Sequence, residues 1–129
     1  MSRWYVDTSA AIMLIVEEPE SDALSVALEE EGAELVACLL LETELRRAAS
    51  CEDALTQAAV SQLLEGVVLH ELPPTLFTEA GLLPGPDLRS LDALHLAAAI
   101  RLGVDCVVTY DRRMAEAATE LGMTVVSPA

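Results

Sequence analysis

The chain has 129 residues, of which 53% are hydrophobic, so we expect a single folded domain over residues 1–129 rather than a disordered segment. Its formal net charge is −15 at pH 7, and all seven basic residues are arginine. This charge argues against a module that binds DNA or RNA through a basic patch, but not against an enzyme whose acidic side chains hold a divalent cation.

Short apolar runs with strand character alternate with segments of helical periodicity. The predicted strands are 3–7, 34–38, 67–72, 105–110 and 124–127. The predicted helices are 9–17, 20–31, 39–51, 53–65, 90–102 and 112–121, and segment 73–86 is expected to hold at most a short helix. The alternation predicts an α/β fold with a mostly parallel sheet. Ligands bind such sheets at the carboxyl ends of the strands, here at Asp7, after Cys38, and at Tyr110 and Asp111.

The three cysteines, Cys38, Cys51 and Cys106, are widely spaced and lie in apolar neighbourhoods. They match neither a zinc motif nor a disulfide framework, and we expect buried, reduced thiols. The first residues show no basic stretch followed by an apolar run, and no apolar stretch is long enough to span a bilayer. These features predict a cytoplasmic protein without a membrane segment.

Three aspartates stand where the predicted strands end or the next helices begin. Asp7 and Asp111 each end a strand, and Asp92 lies in the first turn of an apolar helix whose expected N-cap is Ser90. A buried helix that carries an ionised Asp needs a counter-charge. Each residue also has a simpler explanation, because Asp7 and Asp111 could only cap the following helices and Asp92 could only interact with its helix dipole.

A fourth acidic residue is selected by its angle on helix 39–51. At 100° per residue, Glu44 falls within the arc of leucines, whereas Glu42 points away and stands four residues before Arg46. Glu44 is therefore predicted to face the core, although it could instead pair with Arg47. His95, three residues after Asp92, is more readily explained as a packed core imidazole than as a catalytic group.

Four carboxylates at one edge of a small sheet would repel one another unless a cation neutralised them. Hard oxygen ligands in this number favour Mg²⁺ or Mn²⁺ over zinc. Five of the seven arginines follow or precede one of these acids within three positions. We expect Arg46, Arg89, Arg112 and Arg113 to line the rim of the cleft and attract phosphate, the alternative being that they only balance neighbouring acids.

Four segments of the chain resemble, in order, the acidic motifs of PIN domains. They are Tyr5–Ala10, Glu44–Ala48, Leu91–Ala99 and Val107–Met114. The segment from Leu121 to Pro128 resembles the closing strand of the family. The length and the short segments between motifs resemble the VapC-type toxins of bacterial toxin–antitoxin pairs rather than the larger eukaryotic nucleases.

The resemblance implies a three-layer α/β/α fold and a Mg²⁺-dependent endoribonuclease, with Mn²⁺ as an alternative ion. It implies metal binding and catalysis by Asp7, Glu44, Asp92 and Asp111, with supporting hydroxyls from Thr8, Ser9 and Thr109. A metal-activated water would cleave the RNA and leave a 5′-phosphate and a 3′-hydroxyl. The implied partners are a VapB-type antitoxin, an RNA substrate and a second copy of the chain in a homodimer.

Two other enzyme or signalling classes place acids at the ends of parallel strands. Response-regulator receiver domains and haloacid-dehalogenase-type phosphatases both require a lysine near the phosphoryl site, and this chain has none. A catalytically silent PIN-like module that binds RNA or protein is the remaining alternative. The presence of all four motif acids argues against it.

Overall fold

The computed structural model describes residues 2–129. Within them lie five strands, namely β1 (Arg3–Val6), β2 (Glu34–Cys38), β3 (Val67–His70), β4 (Cys106–Val108) and β5 (Val125–Val126). The helices of the same residues are α1 (Thr8–Met13), α2 (Ser21–Glu31), α3 (Leu40–Ala49), α4 (Gln57–Glu65), α5 (Pro74–Gly81), α6 (Ser90–Leu102) and α7 (Arg112–Glu120). No helix among residues 2–129 is long and apolar enough to cross a membrane.

The strands form one sheet in the order β3-β2-β1-β4-β5, and every neighbouring pair is parallel. The central strand β1 pairs Tyr5 with Val36 on one side and with Val107 on the other. Because both faces of a central parallel strand are covered, its residues alternate between two buried environments, and Trp4, Tyr5 and Val6 are all buried. The predicted α/β fold with a sheet of about five strands is confirmed.

The order of the strands determines where a ligand can bind. The chain passes from β1 to β2 and β3 in one direction and then returns to the other side of β1 for β4 and β5. Since parallel crossovers are right-handed, α1–α4 cover one face of the sheet and α5–α7 the other, which gives three layers. The direction reverses between β1 and β4, and a crevice opens at the carboxyl ends of these two strands. Asp7 and Thr109 are the residues that directly follow them.

One helix end, one helix start and one N-cap differ most from the sequence prediction. Helix α1 ends at Met13 rather than at residue 17, because the chain tightens into a turn whose side chains, residues 14–16, pack against the core. Helix α4 starts at Gln57 rather than at residue 53, because the Thr56 hydroxyl caps it by accepting the Ala59 N–H at 3.1 Å. The third difference lies at α6. Ser90 is already helical there, and the N-cap is Arg89, whose side chain makes no capping hydrogen bond.

The cysteines are all unpaired, as expected, but they are not all buried. Cys38 and Cys106 are buried strand residues, and burial raises the pKa of the Cys106 thiol to about 12. Cys51 is exposed, which corrects the prediction. It follows the end of α3 in a surface turn, where its apolar sequence neighbours do not cover it.

Candidate active site

A cavity of about 370 Å³ opens at the edge of the sheet where β1 and β4 end. Each of the four predicted acids reaches it from a different part of the chain: the residue after β1, helix α3, helix α6 and the N-cap of α7. The side chains that line the cavity are Asp7, Thr8, Ser9, Glu44, Arg89, Ser90, Leu91, Asp92, His95, Asp111 and Met114. The predicted convergence of the four carboxylates is therefore observed.

Asp7 is the most deeply buried of these acids, with 4% of its surface exposed. Its Oδ1 caps α1 by accepting the Ala10 N–H at 2.9 Å and also accepts the Ser9 hydroxyl at 2.7 Å, while Oδ2 accepts the Thr109 hydroxyl. Burial raises the pKa of Asp7, although these hydrogen bonds oppose the shift. Asp7 therefore caps α1, as the simpler explanation from the sequence proposes, but it also faces the cavity.

Glu44 faces inward from α3, as its helical angle predicts. Its Oε1 accepts the Thr8 hydroxyl at 2.9 Å and is hydrogen-bonded to Nε2 of His95. Burial alone would raise the pKa of Glu44, but the hydrogen bond and the positive charge of His95 outweigh it and lower that pKa. Glu42 lies on the solvent side, where it pairs with Arg46 at 3.2 Å.

Asp92 and Asp111 share one arginine. Arg89 Nε lies 3.6 Å from Oδ2 of Asp92, and Arg89 Nη2 lies 3.7 Å from Oδ2 of Asp111. The other oxygen of Asp111 caps α7 through the N–H groups of Arg113 and Met114. Burial and the nearby charge of Asp111 raise the pKa of Asp92, and the charge of Arg89 opposes this shift.

His95 is buried, as predicted, but it also forms part of the cavity wall. Its Nδ1 lies 2.7 Å from the Tyr5 hydroxyl, on the opposite side of the ring from Glu44. Burial would lower the pKa of His95, but the hydrogen bonds and charges of Cys38 and Glu44 raise it to about 10. Sequence reasoning missed Tyr5 and Cys38. The one available signal was the spacing of His95, which places it one helical turn after Asp92.

The arginines are distributed differently from the predicted rim. Only Arg89 among the described residues contributes to the cavity wall. Arg46 lies two positions after Glu44, on the far side of α3, where it is held by Glu42 and by side chains of α4. Arg112 and Arg113 line a neighbouring groove of about 550 Å³ between α7 and the segment before α6. The predicted rim position is therefore wrong for Arg46, and Arg112 and Arg113 lie beside the cavity rather than on it.

The donor chemistry of the cavity fits a hard divalent cation. Four carboxylates line it, and the guanidinium of Arg89 occupies a position between two of them that a cation could take. Within residues 2–129, no group of three or more His, Cys, Asp or Glu side chains is spaced as a ready-made metal site. Asp7, Glu44 and Asp111 instead accept hydrogen bonds from neighbouring hydroxyl, imidazole and backbone groups, so side chains would have to turn before all four acids could share one ion.

Residues 4–120 match the family model of the PIN domain, a range that includes all four acids and most of the chain. The chain belongs to the PIN-domain family. This PIN domain is 40% identical over 130 residues to ribonuclease VapC46 of Mycobacterium tuberculosis (strain ATCC 25618 / H37Rv), and the match covers 99% of each chain. The predicted membership in the VapC branch of the family is confirmed.

Two solved structures have the same fold at low sequence identity. The Sarcin-Ricin loop cleaving toxin VapC20 of Mycobacterium tuberculosis superposes with a TM-score of 0.74 at 15% identity, over 97% of this PIN domain and 99% of that chain. A chain of VapBC2 from Rickettsia felis, bound to a DNA fragment from their promoter, gives 0.73 at 14% identity, over 98% and 99%. These similarities confirm the predicted PIN-like α/β/α fold.

Proposed function

We propose that this PIN domain is a Mg²⁺-dependent endoribonuclease and the toxin of a type II toxin–antitoxin pair. The observation that carries the proposal is the single cavity lined by Asp7, Glu44, Asp92 and Asp111. The full-length similarity to a protein named ribonuclease VapC46 supports the choice of RNA as substrate. Mn²⁺ is the alternative ion, because it accepts the same oxygen ligands.

The four acids would hold the ion, and neighbouring hydroxyls keep two of them, Asp7 and Glu44, in position. A bound Mg²⁺ would polarise the scissile phosphate and lower the pKa of an attacking water. The hydroxyls of Ser9 and Thr109 fix the two oxygens of Asp7, and the hydroxyl of Thr8 fixes Glu44. Such hydrogen bonds orient carboxylates before a ligand arrives. Either Glu44 or Asp111 could also orient the attacking water.

Arg89 is the basic side chain best placed to meet a phosphate group. It projects into the cavity, and 63% of its side chain is exposed. Its contacts to Asp92 and Asp111 are both longer than 3.5 Å, so they are ion pairs without close hydrogen bonds. In a protein with a net charge of −15, such a local positive group is needed to offset the repulsion of RNA.

Cleavage of RNA is expected to require the divalent ion. Purified protein incubated with RNA and Mg²⁺ or Mn²⁺ should produce fragments with 5′-phosphate and 3′-hydroxyl ends, and excess EDTA should stop the reaction. The ends can be assigned by testing whether the fragments accept ligation or polyadenylation. If the protein bound RNA with either ion present but left it intact, it would be the silent PIN module instead of a nuclease.

The groove beside the cavity is expected to guide the RNA backbone. Changing both Arg112 and Arg113 to Gln should weaken RNA binding and reduce the slope of log affinity against log salt by about 0.7 for each phosphate group that the protein no longer neutralises. Arg46→Gln, on the far side of α3, is the matched control and should bind RNA as the unaltered protein does. Fluorescence anisotropy at several salt concentrations measures both quantities. An unchanged slope in the double variant would mean that RNA follows another path.

A VapB-type antitoxin and a second copy of the chain are the proposed partners. The structural similarity to VapBC2 supports the antitoxin. Large apolar side chains are exposed on and beside α5 and α6, notably Phe77, Leu82, Leu91 and Ile100. Exposed apolar side chains on adjacent helices are suited to an interface with either partner. The cytoplasmic location expected from the sequence remains a prediction.

A further inference from the structure

A continuous row of polar groups leads from the cavity into the interior of the fold. It runs from Glu44 through His95 and Tyr5 to Cys38. His95 Nδ1 lies 2.7 Å from the Tyr5 hydroxyl, and that hydroxyl lies 3.1 Å from Cys38 Sγ. Only 2% of the surface of His95 is exposed, and none of that of Tyr5 or Cys38. The row connects α3, α6, β1 and β2 behind the cavity.

The inner end of this row is anchored to the sheet. The Tyr5 hydroxyl accepts the backbone N–H of Cys38 at 3.3 Å, at the carboxyl end of β2. The rings of Tyr5 and His95 meet edge to face, with centroids 5.7 Å apart. A buried hydroxyl or imidazole is costly unless it is hydrogen-bonded, and here both groups are. The imidazole ring is therefore held in one orientation.

The direction of the hydrogen bonds follows from the donors available. Tyr5 can direct its single proton either to Cys38 Sγ or to His95 Nδ1. In the first arrangement Nδ1 carries a proton and donates to Tyr5, and Nε2 must keep its own proton to form the hydrogen bond with the carboxylate of Glu44, so the ring is charged. In the second arrangement Nδ1 is an acceptor, and the proton of the neutral ring is on Nε2. His95 Nε2 therefore donates to Oε1 of Glu44 in both arrangements.

We propose that His95 is a positioning residue that fixes Glu44 through Oε1, so that Glu44 presents Oε2 alone to a cation in the cavity. Thr8 donates to the same Oε1, and among the described residues no hydrogen bond reaches Oε2. With two donors on one oxygen, the carboxylate cannot rotate freely, and less entropy is lost when an ion binds. The inference rests on the proposed function because it assumes a divalent ion among the four acids.

Two substitutions of the same histidine separate positioning from simple packing. His95→Asn retains a polar group near the Nδ1 position but is too short to reach Glu44, whereas the amide nitrogen of His95→Gln can approach the Nε2 position. Mn²⁺ titration of the full chain by calorimetry is expected to show affinity about tenfold to a hundredfold weaker for His95→Asn. His95→Gln should stay within about threefold of the unaltered protein, since its donor to Glu44 is retained.

A double-mutant cycle tests whether His95 acts through Glu44. In a Glu44→Gln background, His95→Asn should weaken Mn²⁺ binding no further, because the carboxylate that it positions is gone. Glu42→Gln, on the solvent side of the same helix, should leave the affinity unchanged. Melting temperature and circular dichroism establish that each variant is folded. If His95→Asn does not fold, Tyr5→Phe is the substitute. It removes the hydroxyl that holds the His95 ring and should also weaken Mn²⁺ binding.

The outcomes distinguish this inference from the proposed function. Unchanged Mn²⁺ affinity in folded His95→Asn, or additive losses in the cycle, would overturn the positioning role even if the protein cleaves RNA. If the Mn²⁺ affinities of the variants are as expected but the protein cleaves no RNA, the positioning role is supported and the proposed nuclease activity is overturned. An unaltered protein that binds no Mn²⁺ at the four acids would overturn both.

Discussion

Replacement of Asp92 by Asn is expected to abolish RNA cleavage while the fold is retained. Asp92 lies in the first turn of α6 and faces the other three acids across the cavity. Asn has nearly the same size but cannot supply a negative charge to a cation. Metal-assisted stabilisation of the transition state amounts to several kcal/mol, so the rate should fall about a thousandfold or more.

The environment of Asp92 explains why the fold should survive this change. Burial and the charge of Asp111 raise its pKa, because both disfavour a negative charge at this position. Asp22→Asn is the matched control, because Asp22 lies in the first turn of α2 and outside the cavity. Cleavage of labelled RNA and circular dichroism should be measured for both variants. A folded Asp92→Asn protein with full activity would remove the acid cluster from the mechanism.

Saturating Mg²⁺ or Mn²⁺ is expected to raise the melting temperature of the unaltered protein by about 10 °C. An ion at a hundred times its dissociation constant stabilises the folded state by about 2.7 kcal/mol. For a domain of this length, each kcal/mol shifts the melting temperature by roughly 3–5 °C. The ion would also remove the repulsion between Asp92 and Asp111, which Arg89 offsets only from a distance.

Variants can show that this stabilisation arises in the cavity. Asp92→Asn and Glu44→Gln should lose most of the shift, whereas Glu42→Gln should keep all of it. Without metal, Asp92→Asn should melt no lower than the unaltered protein, because one of two repelling charges is gone. Thermal melts with EDTA and with each ion provide the comparison. Equal shifts in all variants would mean that the ions bind elsewhere on the acidic surface.

The local sequence predicted most helices and strands because their signals act over a few residues. Gly32 and Gly103 end α2 and α6 in the left-handed conformation, with φ of 62° and 61°, where residues with a Cβ are disfavoured. The central strands are continuously apolar, which is typical of a parallel sheet covered on both faces. One helix start was predicted poorly, since the cap at Thr56 places the start of α4 four residues after its expected position.

The sequence by itself determined which acids would meet. Asp7 and Asp111 follow strands that a parallel sheet brings to one edge, and the angle of 100° per residue separates Glu44 from Glu42. Both deductions need only local periodicity and a general property of α/β sheets.

Only the tertiary structure decided what surrounds those acids. The hydroxyl of Tyr5 meets Cys38 and His95, which lie 33 and 90 positions further along the chain. The local pattern does not encode which strands become neighbours or how side chains from different elements interlock. For the same reason, the sequence could not show that Arg89 reaches into the cavity while Arg112 and Arg113 line the groove beside it.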